Sequence, residues 1–151
     1  MNDLENLLNR IEIQIPFYEA NNQAISKSNV GWHIEHILLT LNGIVGALAK
    51  SDPKGYKWKF SFFKTLILTI KKIPRGKVKA PDVVQPKGNI NTETLLVQLS
   101  KTRQKITVLH TMNKDNYFEH PYFGKLKTKQ TISFLEIHTN HHLKIIDDIL
   151  K

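Results

Sequence analysis

Four stretches of the chain repeat apolar side chains every three or four residues, the spacing of one helical face. The first carries Leu4, Leu7, Leu8, Ile11, Ile13, Ile15, Phe17 and Tyr18. Asn2 or Asp3 is placed to cap its start, and Pro16 predicts a kink or an early end. The second, capped by Ser28 or Asn29, reaches about Ala49 with Ile34, Ile37, Leu38, Leu41, Ile44, Val45 and Leu48 as its stripe. Ser51-Asp52-Pro53 ends it. The third runs from a Thr92 cap to about Met112 on Leu95, Leu96, Leu99, Ile106 and Leu109. The fourth opens at Thr128 and continues nearly to Lys151 on Phe134, Leu135, Ile145, Ile146 and Ile149. No stretch alternates strictly enough to predict a strand.

Between the second and third helices the pattern changes. Tyr56 to Ile73 is at once aromatic, apolar and basic, and a short helix is expected around Phe60–Lys72. Pro74, Gly76, Pro81 and Pro86 then make an extended surface connection. Asn113 to Lys127 reads as a loop. The fold expected is all-α: an antiparallel four-helix bundle in a single domain, residues 1–151, with residues 50–90 as a long crossover containing a short extra helix.

Charge sharpens the picture of that crossover. The chain of 151 residues has 22 Lys and Arg against 13 Asp and Glu, a net +9. Ten of the basic residues and a single acid, Asp82, lie between Lys54 and Lys87, so this segment holds the whole imbalance. A basic aromatic segment can lie on nucleic acid or on an anionic membrane. The reading preferred here is that its apolar residues pack on the bundle while its lysines stay in water, which disfavours both partners. The chain has no cysteine, which excludes disulfides, thiolate nucleophiles and Cys-type zinc or iron–sulfur ligation. There is no signal-peptide pattern at the start and no run near the ~20 apolar residues of a membrane span, so a cytoplasmic protein is expected. No P-loop, Rossmann or Gly-x-Ser-x-Gly string is present.

The histidines carry the chemical signal. Five of the seven fall in two groups, His33 with His36 and His138 with His141 and His142. On a helical wheel His138 and His142, four apart, fall at the centre of the last helix's apolar stripe and point inward one turn apart. Such a pair can hold one divalent cation, as two His do in HExxH. His141 lies on the shoulder of the stripe. On the second helix the choice stays open. Periodicity slightly favours His33, while His36 lines up with Thr40, Gly43 and Ala47, small residues that suit close approach of a neighbouring helix.

Three strings resemble the DinB/YfiT-like family of metal-dependent enzymes. Ser28-Asn29-Val30-Gly31-Trp32-His33-Ile34-Glu35-His36-Ile37 is similar to the family's second-helix opening, a small-Val-Gly segment leading to Glu-His-aliphatic. His120-Pro121-Tyr122-Phe123-Gly124-Lys125-Leu126 resembles the His-Pro-x-x-Gly loop before the last helix. His138-Thr139-Asn140-His141-His142 resembles its HxxHH. The three occur in the family's order and span most of the chain. The resemblance implies a four-helix bundle and a three-histidine metal site on His36, His138 and His142, with His33 and His141 as alternates. Many relatives carry Gln one turn further on, where this chain has Leu143-Lys144-Ile145.

The resemblance also implies a chemistry. Three neutral imidazoles suit zinc or nickel, and also manganese or iron, and leave coordination positions open. Relatives include transferases, and an isomerase, that bring a low-molecular-weight thiol to the metal. A thiol-dependent transferase or a hydrolase acting on a small molecule is therefore expected, with Glu35 and His120 as candidate catalytic groups. Glu35 and Glu136 are expected to face water, Tyr117 and Tyr122 to stand at the pocket mouth, and His110 to sit at a helix C-terminus. The rival reading is a non-catalytic module that binds through residues 54–87. A homodimer would cover exposed crossover aromatics.

Overall fold

The computed structural model describes residues 2–76 and 80–151, so Lys77 and Lys79 of the basic run lie outside the described residues. Helix α1 (Asn2–Gln14) passes at Ile15–Phe17 into a 3-10 turn built on Pro16, whose missing N–H ends the α-helical ladder. Helix α2 (Val30–Lys50) starts at Asn29, whose side chain accepts from the Trp32 amide. Helix α3 (Phe62–Ile70) is capped by Ser61 and closed by Lys71 in the left-handed region. Helix α4 (Thr92–Ile106) is capped by Asn91, one residue before the expected Thr92, in a reciprocal box with Thr94. A 3-10 turn, Thr107–His110, follows it and leaves His110 exposed at the end. Helix α5 spans Thr128–Ile149.

The four long helices pack in a closed ring. Helix α2 lies against α4 and α5, and α1 lies against the same two. Leu8, Ile11, Ile34, Ile37, Leu38, Leu48, Leu95, Leu135 and Ile146 meet in one core and are almost wholly removed from water. Three expected core positions are exposed: Ile13 stands about 180° from Leu4 around α1, Phe17 lies in the 3-10 turn that follows, and Leu96 is turned about 100° from Leu95 on α4.

Gly31 marks a tight approach at the start of α2. A Cβ there would stand 2.9 Å from Ile90 and 3.0 Å from the Tyr18 carbonyl, where the Gly31 amide donates its hydrogen bond. The run Thr40, Gly43, Ala47 does not receive a neighbouring helix as expected. Gly43 and Ala47 are exposed, and a Cβ on Gly43 would meet nothing.

Strands were not expected, yet Asn113–Lys127 folds into an antiparallel hairpin of β1 (Tyr117–His120) and β2 (Gly124–Lys127). His120 pairs with Gly124 around a three-residue loop, and Gly124 takes the positive φ that such a loop requires. The Asn116 side chain donates to the Leu48 carbonyl and the Tyr117 amide to Ser51 Oγ, which ties the hairpin to the end of α2.

The crossover also departs from expectation. Trp58, Phe60, Phe62, Phe63, Leu66 and Ile70 face water, while Lys64 is buried beside Ile67. A nine-residue helix has room for one packed face only. Here that face is Lys64, Ile67 and the half-buried Leu68. Beyond Pro74 the chain makes a 3-10 turn, Asp82–Val84, against α2. No helix among the described residues is long and apolar enough to cross a membrane.

Candidate metal centre

Histidines from two helices meet between α2 and α5. His36, His138 and His142 each bring one ring nitrogen to within 4.8 Å of the others. His36 Nε2 and His138 Nε2 stand 3.2 Å apart. Two nitrogens bound to one tetrahedral zinc at ~2.05 Å lie about 3.3 Å apart, so this spacing suits a shared ion as well as the hydrogen bond the two rings make. His138 and His142 are one turn apart on α5, as the wheel requires, with ring centroids 4.7 Å apart.

The outer nitrogens are held by other groups. His36 Nδ1 lies 2.8 Å from the Val84 carbonyl. A carbonyl only accepts, so Nδ1 carries the proton and Nε2 keeps its lone pair. The turn that presents this carbonyl is fixed locally. The Val84 amide donates to Pro81, and Gln85 Nε2 donates to the Ala80 carbonyl and to Asp82. His142 Nδ1 lies 3.0 Å from His33 Nδ1, and His33 Nε2 lies 3.0 Å from Ser26 Oγ. Both ring nitrogens of His33 are thus already engaged, one by Ser26 and one by His142. His33 supports His142 and is not the third member of the converging set, against the slight preference of periodicity. His36 converges instead because the crossover covers the side of α2 on which it stands.

Burial keeps these imidazoles neutral. Desolvation pushes His138 and His142 well below the usual imidazole range, and neighbouring imidazoles add to it. It also lowers His36, against the opposing hydrogen bond that His36 donates to the Val84 carbonyl, and takes His33 down to about 4. Neutral imidazole is the form that offers a lone pair to a cation. His36 is buried, whereas His138 and His142 keep part of their surface accessible.

The other candidates fall elsewhere. Glu35 does not face water. Helix α4 covers it, and Gln98 Nε2 donates to its Oε1 at 3.2 Å while Oε2 has no partner. It stands on the α4 side of α2, and the histidines stand on the α5 side. Glu136 is half-buried, and desolvation raises its carboxyl. His120 braces the hairpin. Its Nδ1 accepts from the amides of Tyr122 and Phe123, its ring stacks on Phe123 at 4.1 Å, and burial takes it down to about 4. Phe134 bridges it to the cluster, 4.8 Å from His120 and 5.7 Å from His138. Tyr117 packs on Tyr56 and Gly55, and Tyr122 is exposed beside His120. His141 meets His142 edge-to-face, with ring centroids 5.1 Å apart.

Sequence reasoning missed three parts of the centre. Trp32 stacks on His36 at 5.1 Å and meets His33 edge-on at 5.2 Å. An aromatic one residue before His33 was the available signal. Ser26 and the Val84 carbonyl left none, because a loop hydroxyl is common and a backbone carbonyl is the same at every residue.

No family model, no curated protein and no solved structure matches the chain.

Proposed function

We propose that the chain is a DinB-like divalent-metal protein. In this reading α1, α2, α4 and α5 form the antiparallel four-helix bundle, residues 50–90 form its crossover, and His36, His138 and His142 hold one ion. The observation that carries the reading is the convergence of three neutral imidazoles, two of them with the outer nitrogen already hydrogen-bonded. Such outer partners orient ligands and fix the tautomer. The resembling strings also fall on matching elements: Gly31 to His36 opens α2, His120 to Gly124 forms the turn before α5, and His138 to His142 lies within α5.

An all-nitrogen donor set favours zinc or nickel. When bound, the ion supplies Lewis acidity to a small molecule's oxygen or sulfur. The protein's own part is to hold His36 through Val84 and Trp32 and His142 through His33 and Ser26, and to leave the accessible side of His138 and His142 for a substrate. A thiol-dependent transfer or a hydrolysis is the reaction class this reading assigns, with a low-molecular-weight thiol as the first substrate to try.

Elemental analysis of untagged protein purified without chelator tests the centre. About one zinc or nickel per chain is expected, with none in the His138→Ala, His142→Ala variant. A folded protein that takes up no zinc, nickel or manganese overturns the reading.

A further inference from the structure

The crossover breaks the rule by which the rest of the chain folds. Around α3, Trp58 is 73% exposed, Phe60 62%, Phe62 63% and Phe63 65%, with Leu66 and Ile70 also in water. At about 100° per residue, Phe62, Leu66, Ile70 and Phe63 fall within roughly 100° of the helix surface. That arc holds no charged residue. Lys64, the one lysine within the helix, is turned inward, with Nζ near the Lys59 carbonyl. Exposed lysines flank the apolar face instead: Lys57 and Lys59 before it, Lys71 and Lys72 after it. No acidic residue occurs from Pro53 to Pro81. The basic character continues into a groove of about 570 Å³ lined by Tyr56, Trp58, Lys114, Lys127 and Lys129, where Asp115 is already paired with Lys127.

We propose that residues 57–72 are a docking element for an anionic lipid surface. Trp58, Phe60, Phe62, Phe63, Leu66 and Ile70 enter the interface between headgroups and acyl chains, and the flanking lysines meet the lipid phosphates. Such a face combines an apolar arc with a cationic rim, the composition of an interfacial helix. Nucleic acid fits it less well. Bases stack on aromatic rings, and Leu66 and Ile70 offer no ring, while a hydrocarbon phase accepts all six side chains. A second copy fits less well too, because pairing this face with itself brings two cationic rims together with no acid to offset them.

The test is co-sedimentation of the full chain with vesicles of phosphatidylcholine alone and of phosphatidylcholine with phosphatidylglycerol. Binding is expected to the anionic vesicles and to be marginal on the neutral ones. A blue shift of tryptophan emission accompanies it and disappears in Trp58→Phe. Phe62→Ser with Leu66→Ser lowers partitioning at least about tenfold, and Lys57→Glu with Lys59→Glu about thirtyfold or more. Unfolding midpoints of these surface variants verify that each is folded. Failure of the wild-type chain to bind anionic vesicles overturns the proposal. So does equal binding by the folded variants. Two further results do the same: retention of single- or double-stranded DNA in place of vesicles, and a concentration-dependent dimer that requires Phe62 and Leu66 while vesicle binding is absent.

Discussion

Helices α5 and α3 pack against each other, and both carry apolar and polar side chains at helical spacing. They treat water in opposite ways. Helix α5 has 22 residues, lies between α1 and α2, and buries Phe134, Leu135, Leu143, Ile145, Ile146 and Ile149. Its histidines go inward because two of them find ring-nitrogen partners across the helix interface. Helix α3 has nine residues, lies against α5 alone among the long helices at comparable closeness, and buries Ile67 with Lys64. Its aromatics are left outside. Amphipathic spacing therefore states that a helix has two faces, and only its neighbours state which face meets water.

Three measurements sharpen this comparison, from the largest expected effect to the smallest. Leu135 is wholly buried and Phe63 is 65% exposed. Leu135→Ala is expected to cost about 2–5 kcal/mol in urea unfolding, whereas Phe63→Ala stays within about 0.5 kcal/mol of wild type. Equal losses would remove the contrast between the two helices.

The second concerns pH. His120 is neutral in the fold with its titration pushed down to about 4, against an ordinary 6.5 in the unfolded chain. As pH falls, the unfolded chain takes up this proton first. The contribution of His120 is therefore complete above pH 6.5 and is lost between 6.5 and about 4, by up to about 3 kcal/mol. In His120→Gln, unfolding free energies measured across this window should fall less steeply with acid, while Phe63→Ala keeps the wild-type slope. Identical slopes in His120→Gln and wild type would exclude a neutral, buried His120.

The smallest effect is expected at Lys64, a buried ammonium whose partner is the Lys59 carbonyl at 3.4 Å. Lys64→Met keeps the length of the side chain and removes the charge. Stability is expected to rise by up to about 1 kcal/mol by thermal or urea unfolding. A loss of similar size would mean that Lys64 anchors α3.

How much was legible depended on how local the cause was. The stripes of α2 and α5 were readable because their core residues follow one period over many turns. The hairpin was not, since Tyr117–His120 and Gly124–Lys127 are short and owe their place to Asn116, Ser51 and the end of α2. Glu35 was assigned to water, and α4 covers it. His120 was a catalytic candidate, and two backbone amides hold its ring against the hairpin loop.

The sequence by itself determined that four long helices form and that His138 and His142 share one face of the last, because helical spacing acts within a few residues. It also determined that any metal here must be held without thiolates. Tertiary structure decided between His33 and His36. The Val84 carbonyl, 48 residues further along the chain, holds the outer nitrogen of one, while Ser26 and His142 occupy both nitrogens of the other. It decided as well that lysine goes in and aromatics stay out on α3. Both outcomes depend on which surface packs against the helix, and that is set by residues far away in the chain.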